Sequence, residues 1–417
     1  MEVKKIIGVL GLSFLFISCS NDVKKTPETV LESKVDASSC QSQMLENKYV
    51  VLWEDGSFSY EEGHDEESFK KDFVEKNLQQ IKKVYYDRKI KFFSESENNS
   101  VNTNSEIQSS ASEDSEQLWG QRMIAAEEVW KKNFYGQGVI VGVVDSYVDI
   151  SHSQLKDQIY TNTNEIPDNG IDDDNNGFID DYHGMNFTGV SNYTISNVHG
   201  THVSGIIASN HQGLMKGIAP KATLIPAPFI SNDGSGSLGD AIKAMNYVTA
   251  RGAKVINASW GGSVCVSSLK EAFQAISDKG VLIVVAAGND GRDLTVSPTY
   301  PAAFNLPGQI TVGASNENDF MAYFSNSSFN LVHLAAPGDA IFSTTPSEKY
   351  DYLKGTSMAT PFVTGAAAVL WSAFPNATVA KIKEAIVNSV DVTPTHEFRV
   401  YSRGRLNLSK AYDYLNK

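Results

Sequence analysis

From Leu118 to the end of the chain, short apolar runs rich in β-branched residues alternate with longer stretches of helical spacing. The runs GVIVGVVD (138–145), ATLIPAP (222–228), AKVINAS (253–259), VLIVVAAGN (281–289) and QITVGAS (309–315) predict buried strands. HGTHVSGIIAS, SLGDAIKAMNYVTARG, SSLKEAFQAISDKG and the stretch from Thr356 to Phe374 predict helices. Apolar strands separated by helices predict an α/β fold of three layers, a mostly parallel central sheet covered by helices on both faces. Ligands in such sheets bind beyond the carboxyl ends of the strands.

Upstream the pattern changes. Over 48–93, YVVLW reads as a strand, EESFKKDFVEKNLQQI as a helix and KVYYDRKIKFF as a strand again. This small α+β unit is marginal as an independent domain. Residues 94–117 are rich in Ser, Asn and Glu and predict a disordered, protease-accessible linker. Residues 20–47 are polar and read as a tether. At the start, Lys4 and Lys5 precede an apolar run from Ile6 to Ile17, too short to span a bilayer and suited to a signal peptide over 1–19. The run ends in FISC, which resembles a bacterial lipobox with Cys19 as the lipidated residue. Phe16 departs from the aliphatic residue usual there, so plain secretion is the alternative. The expected location is extracytoplasmic: a membrane-anchored lipoprotein of the outer membrane or cell surface, or a secreted form.

Composition narrows the partners. A formal charge of -14 argues against nucleic acid and anionic membrane surfaces, and 41% hydrophobic residues suffice for a large core. Besides Cys19, Cys40 and Cys265 lie on opposite sides of the linker, so no disulfide framework is expected.

The chemistry sits at the strand and helix ends. Asp145 closes one strand, His199 opens a helix, Asn289 closes another strand, and Ser357 begins the apolar run GTSMATPFVTGAAA. Each has a plain structural role available: Asp145 and His199 as helix caps, Asn289 as a turn residue, and Ser357 or Thr356 as the N-cap of the following helix. Together they form a set for acyl transfer: nucleophile, general base, orienting carboxylate and oxyanion donor.

The blocks VVDSYVDISHSQL, HGTHVSG, VVAAGND and GTSMATPFVTGAAA, in that order, resemble the signature blocks of the subtilisin-like serine proteases (subtilases) over residues 118 to 412. The resemblance implies a subtilisin-like fold and catalytic domain over 118–417, with Ser357 as nucleophile, His199 as base, Asp145 as orienting acid and Asn289 as oxyanion donor. His202, the second histidine of its block, would pack or hydrogen-bond locally. Protein or peptide substrates would bind in extended form between Gly234, Ser235 and Gly236 on one side and Ser259, Trp260 and Gly261 on the other, with Gly288 nearby. Trp260 either narrows the primary pocket or packs beside it. Tyr147 stands where the family has glycine, which implies either ordinary φ or strain next to Asp145. The N-terminal unit faintly resembles a subtilase propeptide, an inhibitor of its own chain, with maturation in the 94–117 linker; a stalk module is the alternative.

Between Asp145 and His199 lies NEIPDNGIDDDNNGFIDDYHGMNF, holding Glu165, Asp168, Asp172, Asp173, Asp174, Asp180 and Asp181. Asp172, Asp174, Asn176 and the Phe178 carbonyl repeat the first half of an EF-hand calcium loop, with Gly177 at the turn. His183 occupies the place of the closing glutamate, so Asp180 or Asp181 is expected to supply that carboxylate. A structural calcium ion is expected, and no organic cofactor. The functional expectation is an exported, lipid-anchored serine endopeptidase. The alternatives are a catalytically silent fold serving as a surface peptide-binding module and an enzyme dedicated to one partner protein.

Overall fold

The computed structural model describes residues 25–33, 43–91, 117–190, 198–262 and 267–417. The signal peptide, Cys19, Cys40, Cys265, half of the tether and nearly all of the linker lie outside the described residues. Among those described, no helix is long and apolar enough to cross a membrane.

The N-terminal unit is richer than strand, helix, strand. Its strands are β1 (Met44–Trp53), β2 (Phe58–Glu62) and β3 (Ile81–Lys91), with a helical stretch over 66–77 that widens to a π turn at Lys70–Val74. β1 begins four residues before the expected boundary. β2 is added by a hairpin whose turn, Asp55 to Ser57, is pinned by the Asp55 carboxylate accepting the Ser57 N–H at 2.8 Å. Tyr49, Val51, Phe69, Val74 and Val84 close a small core of their own, with the Tyr49 and Phe69 rings stacked 3.9 Å apart.

The large domain is organised on eight strands: β4 (Ile140–Val143), β5 (Thr223–Pro226), β7 (Val255–Ala258), β8 (Leu282–Ala286), β9 (Gln309–Ser315), β10 (Leu334–Pro337), β13 (Asp391–Val392) and β14 (Gly404–Arg405). Their order is β13-β14-β10-β9-β8-β7-β4-β5. Every neighbouring pair is parallel except β13–β14. The chain winds one way from β4 to β5 and the other way from β4 through β7, so the strand order reverses at β4 and β7. Crevices form beyond the carboxyl ends at such a point. A three-residue strand, β6 (Ser235–Ser237), stands outside this sheet, and a hairpin of β11 (Ile341–Thr345) and β12 (Lys349–Leu353) completes the strands.

The helix Thr356–Ala373 runs through the core, buried from Thr356 to Trp371. Its small residues permit this: a Cβ on Gly365 would lie 2.7 Å from the Ile218 side chain. Buried Phe362, Val363, Val369 and Leu370 contribute about 1.5–3 kcal/mol each on that helix, enough to fix it against the sheet.

Candidate active site

Asp145 lies two residues beyond β4 and is fully buried. Its Oδ1 accepts the Ser146 N–H at 2.7 Å and stands 2.6 Å from His199 Nδ1. His199 is the first residue of the helix His199–Ala208 and is 3% exposed. Facing a carboxylate, Nδ1 carries the proton, which leaves the Nε2 lone pair as a base. The flanking sequence holds this pair together. Ser146 Oγ accepts the Gly200 N–H at 3.0 Å, and Thr201 Oγ1 accepts the Asp149 N–H at 2.9 Å. A Cβ on Gly200 would meet the carbonyls of Ser146 and Tyr147 at 2.5 Å, so only glycine lets the helix start this close to the Asp145 turn. Tyr147 has ordinary, negative φ and is half-buried, so the residue in the glycine position brings no backbone strain.

His202 turns away from this pair. Its Nε2 lies 3.0 Å from the Ile341 carbonyl and 3.1 Å from that of Asp351, tying the helix to the β11–β12 hairpin. Burial pushes its imidazole down to about 3, so it stays neutral.

Ser357 is not the cap of its helix. Gly355 holds that position and no side chain caps it, while the Ser357 Oγ donates to the Ser259 carbonyl at 3.1 Å. The hydroxyl therefore points to Ser259 rather than to His199, and a side-chain rotation separates this state from one engaged with the base. Ser259 Oγ donates back to the Ser357 carbonyl at 2.9 Å and accepts from Asn257 Nδ2, also at 2.9 Å.

Asn289 is oriented by the residue before the serine. Its Oδ1 accepts both the N–H (2.8 Å) and the hydroxyl (2.9 Å) of Thr356, whose Oγ1 in turn accepts the Gly288 N–H at 3.0 Å. This fixes the amide so that Nδ2 is the outward donor. A Cβ on Gly355 would lie 3.2 Å from that Nδ2 and 3.6 Å from the Ser357 nitrogen, so two donors flank the bare glycine. Thr356 and Ser259 were not singled out in the sequence as positioning residues. The signal was present in the threonine of GTS and the serine of ASWGG.

Trp260 is resolved by packing. It is fully buried, donates Nε1–H to the Val144 carbonyl at 2.9 Å and meets the rings of Phe229 and Phe273 edge-on. It supports the Asp145 strand from behind and does not narrow a pocket. Gly234 begins the β6 segment with φ +73°, while Ser235, Gly236 and Ser237 form the strand. That strand is already paired: β3 runs antiparallel to it, with Lys89 opposite Ser237, Ile90 opposite Gly236 and Lys91 opposite Ser235. Gly261 follows Trp260 as a buried residue, and Gly262 exchanges backbone hydrogen bonds with Tyr300.

More of the N-terminal unit reinforces that pairing. Val50, Leu52, Tyr85 and Ile90 join one apolar cluster with Phe229, Ile230, Leu238 and Ile242. Tyr85 donates its hydroxyl to Glu271 at 2.7 Å. Asp87 accepts the Gly239 N–H at 3.0 Å, at the start of the helix Leu238–Ala250, and burial pushes its carboxyl up to about 6.

The acidic loop departs from expectation. Glu165, Asp172 and Asp174 gather with carboxylate oxygens within 4.8 Å of one another. Asp180 and Asp181, expected to close the site, serve elsewhere. Asp180 accepts the N–H groups of Asn169 and Gly170 at 3.0 Å. Asp181 is buried against Arg251 and the Tyr247 hydroxyl, 2.5 and 2.7 Å away, which hold its carboxyl below the usual range against the effect of burial. Asn176 spends its Oδ1 on the Phe178 N–H, and Phe178 packs its ring on Tyr247. Glu165 replaces them because its side chain is buried, and its Oε2 has no hydrogen-bond partner among the described residues. A buried carboxylate oxygen left unpaired beside two others fits a hard cation such as calcium.

A profile described as the subtilase family matches residues 136–405. The chain is 38% identical over 272 residues to the major intracellular serine protease of Bacillus subtilis, covering 64% of this chain and 79% of that protein. It is 32% identical over 303 residues to thermitase of Thermoactinomyces vulgaris, covering 72% of this chain and 97% of that one. Among solved structures, fervidolysin from Fervidobacterium pennivorans, a keratinolytic enzyme related to subtilisin, superposes with a TM-score of 0.69 at 25% identity. That match covers 89% of this chain and 61% of fervidolysin.

Proposed function

Since the chain belongs to the subtilase family of serine endopeptidases, we propose that Asp145, His199 and Ser357 are its catalytic triad, with Asn289 and the Ser357 N–H as the oxyanion donors. One observation carries this reading: the buried 2.6 Å contact between His199 Nδ1 and Asp145, which leaves Nε2 as the base. His199 Nε2 takes the proton as Ser357 Oγ forms a bond to the substrate carbonyl carbon. The electron pair moves onto the carbonyl oxygen, where the Ser357 N–H and Asn289 Nδ2 receive it. Collapse breaks the C–N bond as His199 returns the proton to the leaving amine. Water then attacks the acyl-enzyme with His199 again as base, releasing the acid and restoring Ser357.

Substrate, a protein or peptide, would add as a strand along Gly234–Ser237. Residues 89–91 hold that edge here, which supports an inhibitory role for the N-terminal unit and release by cleavage in the 94–117 linker. Glu165, Asp172 and Asp174 would hold a calcium ion that stabilises the 165–181 loop. The signal peptide and Cys19 would carry the enzyme out of the cytoplasm and anchor it by lipid.

Fluorophosphonate labelling of the chain lacking residues 1–19, with peptide mass mapping, tests the assignment. Label is expected on Ser357 and absent in His199→Ala. If residues 118–417, shown to be folded, take no label, the silent peptide-binding reading replaces this one.

A further inference from the structure

At the opposite edge of the sheet from Ser357, a cavity of about 430 Å³ opens beneath the helix Val379–Asn388. Its lining includes residues that precede β9 and β10, at the amino ends of those strands. His333, 7% exposed, lies on its wall. The ring Nδ1 accepts the Thr311 N–H at 3.0 Å. Burial holds the imidazole neutral, down to about 3, so its single proton sits on Nε2 and is a donor.

Lys383 shares this wall. Its ammonium donates to the Leu306 carbonyl at 3.1 Å and, among the described residues, pairs with no carboxylate. Burial lowers it to about 8, which leaves it mostly charged at neutral pH. Glu384 is an acid on the same wall, but its two oxygens are taken by Lys381 Nζ at 2.8 Å and the Tyr414 hydroxyl at 2.7 Å. Asn305, Asn330 and Tyr401 complete the polar part of the lining. A partly buried cation without a counter-charge carries a cost, and an anion in the cavity would relieve it.

We propose that this cavity binds a small oxyanion, a carboxylate or phosphate group, between the Lys383 ammonium and the His333 Nε2–H. The site stands apart from the catalytic groups and does not depend on their assignment.

The test is thermal unfolding and calorimetric titration of the full chain carrying Ser357→Ala, which prevents self-digestion, at fixed ionic strength. Inorganic phosphate or acetate is expected to raise Tm saturably above a chloride control. Lys383→Met should weaken that binding by about tenfold to a hundredfold, the effect of losing one charge-assisted hydrogen bond. A response to phosphate alone assigns a phosphate group, and one to acetate alone a carboxylate. If neither anion exceeds chloride, or if Lys383→Met responds like its parent, the proposal is overturned. Should Lys383→Met not fold, His333→Gln takes its place under the same criterion.

Discussion

The Tyr60 hydroxyl occupies the space that a side chain on Gly239 would need: a Cβ there would fall 0.6 Å from it. Lys243 closes over the same ring, with Nζ 3.8 Å from its centroid. The missing methyl on one helix is thus the socket for a residue about 180 positions earlier, as the numbering shows.

Gly239→Ala should therefore loosen the N-terminal unit without touching the catalytic groups. Overpacking of this kind costs about 1–3 kcal/mol, so release should become roughly 5- to 150-fold more favourable. The measurement is the time course of activity appearing in purified full chain. Tyr60→Ala combined with Gly239→Ala should bring part of the delay back, because the clash is gone.

Asn289→Ala should lower kcat about 10²- to 10³-fold, the usual effect of removing one oxyanion donor, with little change in KM. Thr356→Val, which cannot donate its hydroxyl to Asn289 Oδ1, should lower kcat by less and again spare KM. A rise in KM with kcat intact in either variant would mean that these residues bind substrate rather than stabilise charge.

Three of the buried histidines steepen the acid limb of stability. Burial takes His202 and His333 to about 3 and His396 to about 4, all below the ordinary 6.5. Below pH 6.5 the unfolded chain binds protons that the folded one refuses, so stability is full above that pH and falls as pH drops toward 4. Each group contributes a slope of about 1.4 kcal/mol per pH unit over that range. Urea midpoints between pH 7 and 4.5 should show this decline, and His202→Gln should make it shallower.

Calcium should raise Tm in the Ser357→Ala chain, by the equivalent of about 2.7 kcal/mol at a hundredfold excess over Kd. Glu165→Gln should remove most of that gain. Asp180→Asn should keep it, since Asp180 serves the Asn169–Gly170 turn. Calorimetry with and without a chelator separates the two.

The strands that flank the cleft were legible because both faces of the sheet are covered, so β4, β7, β8 and β9 read as unbroken apolar runs. β13 and β14 escaped notice since two residues carry no pattern, and β10 because LAAP has a single large apolar residue and ends in proline. β2 escaped because FSYEE is half-exposed and polar at its end. Glu165 illustrates a different limit. Spacing within DDDNNG pointed to a contiguous loop, whereas the acidic residue that joins Asp172 and Asp174 arrives by chain reversal, and Asp181 is claimed by Arg251 from a distant helix. Trp260 was ambiguous because burial on one side of a strand end depends on Phe229 and Phe273, which only the tertiary fold brings near.

Among the described residues, β6 pairs with β3 alone and has no place in the main sheet. Were β3 to depart, the β6 backbone N–H and C=O groups would become an open edge, the kind that invites other chains to polymerise. Three residues are too few to template such growth, and the charged Asp233 beside them, which faces Lys89 at 3.9 Å, discourages stacking further. The shortness of this strand would then protect solubility: an edge of three residues is too short to seed a fibril.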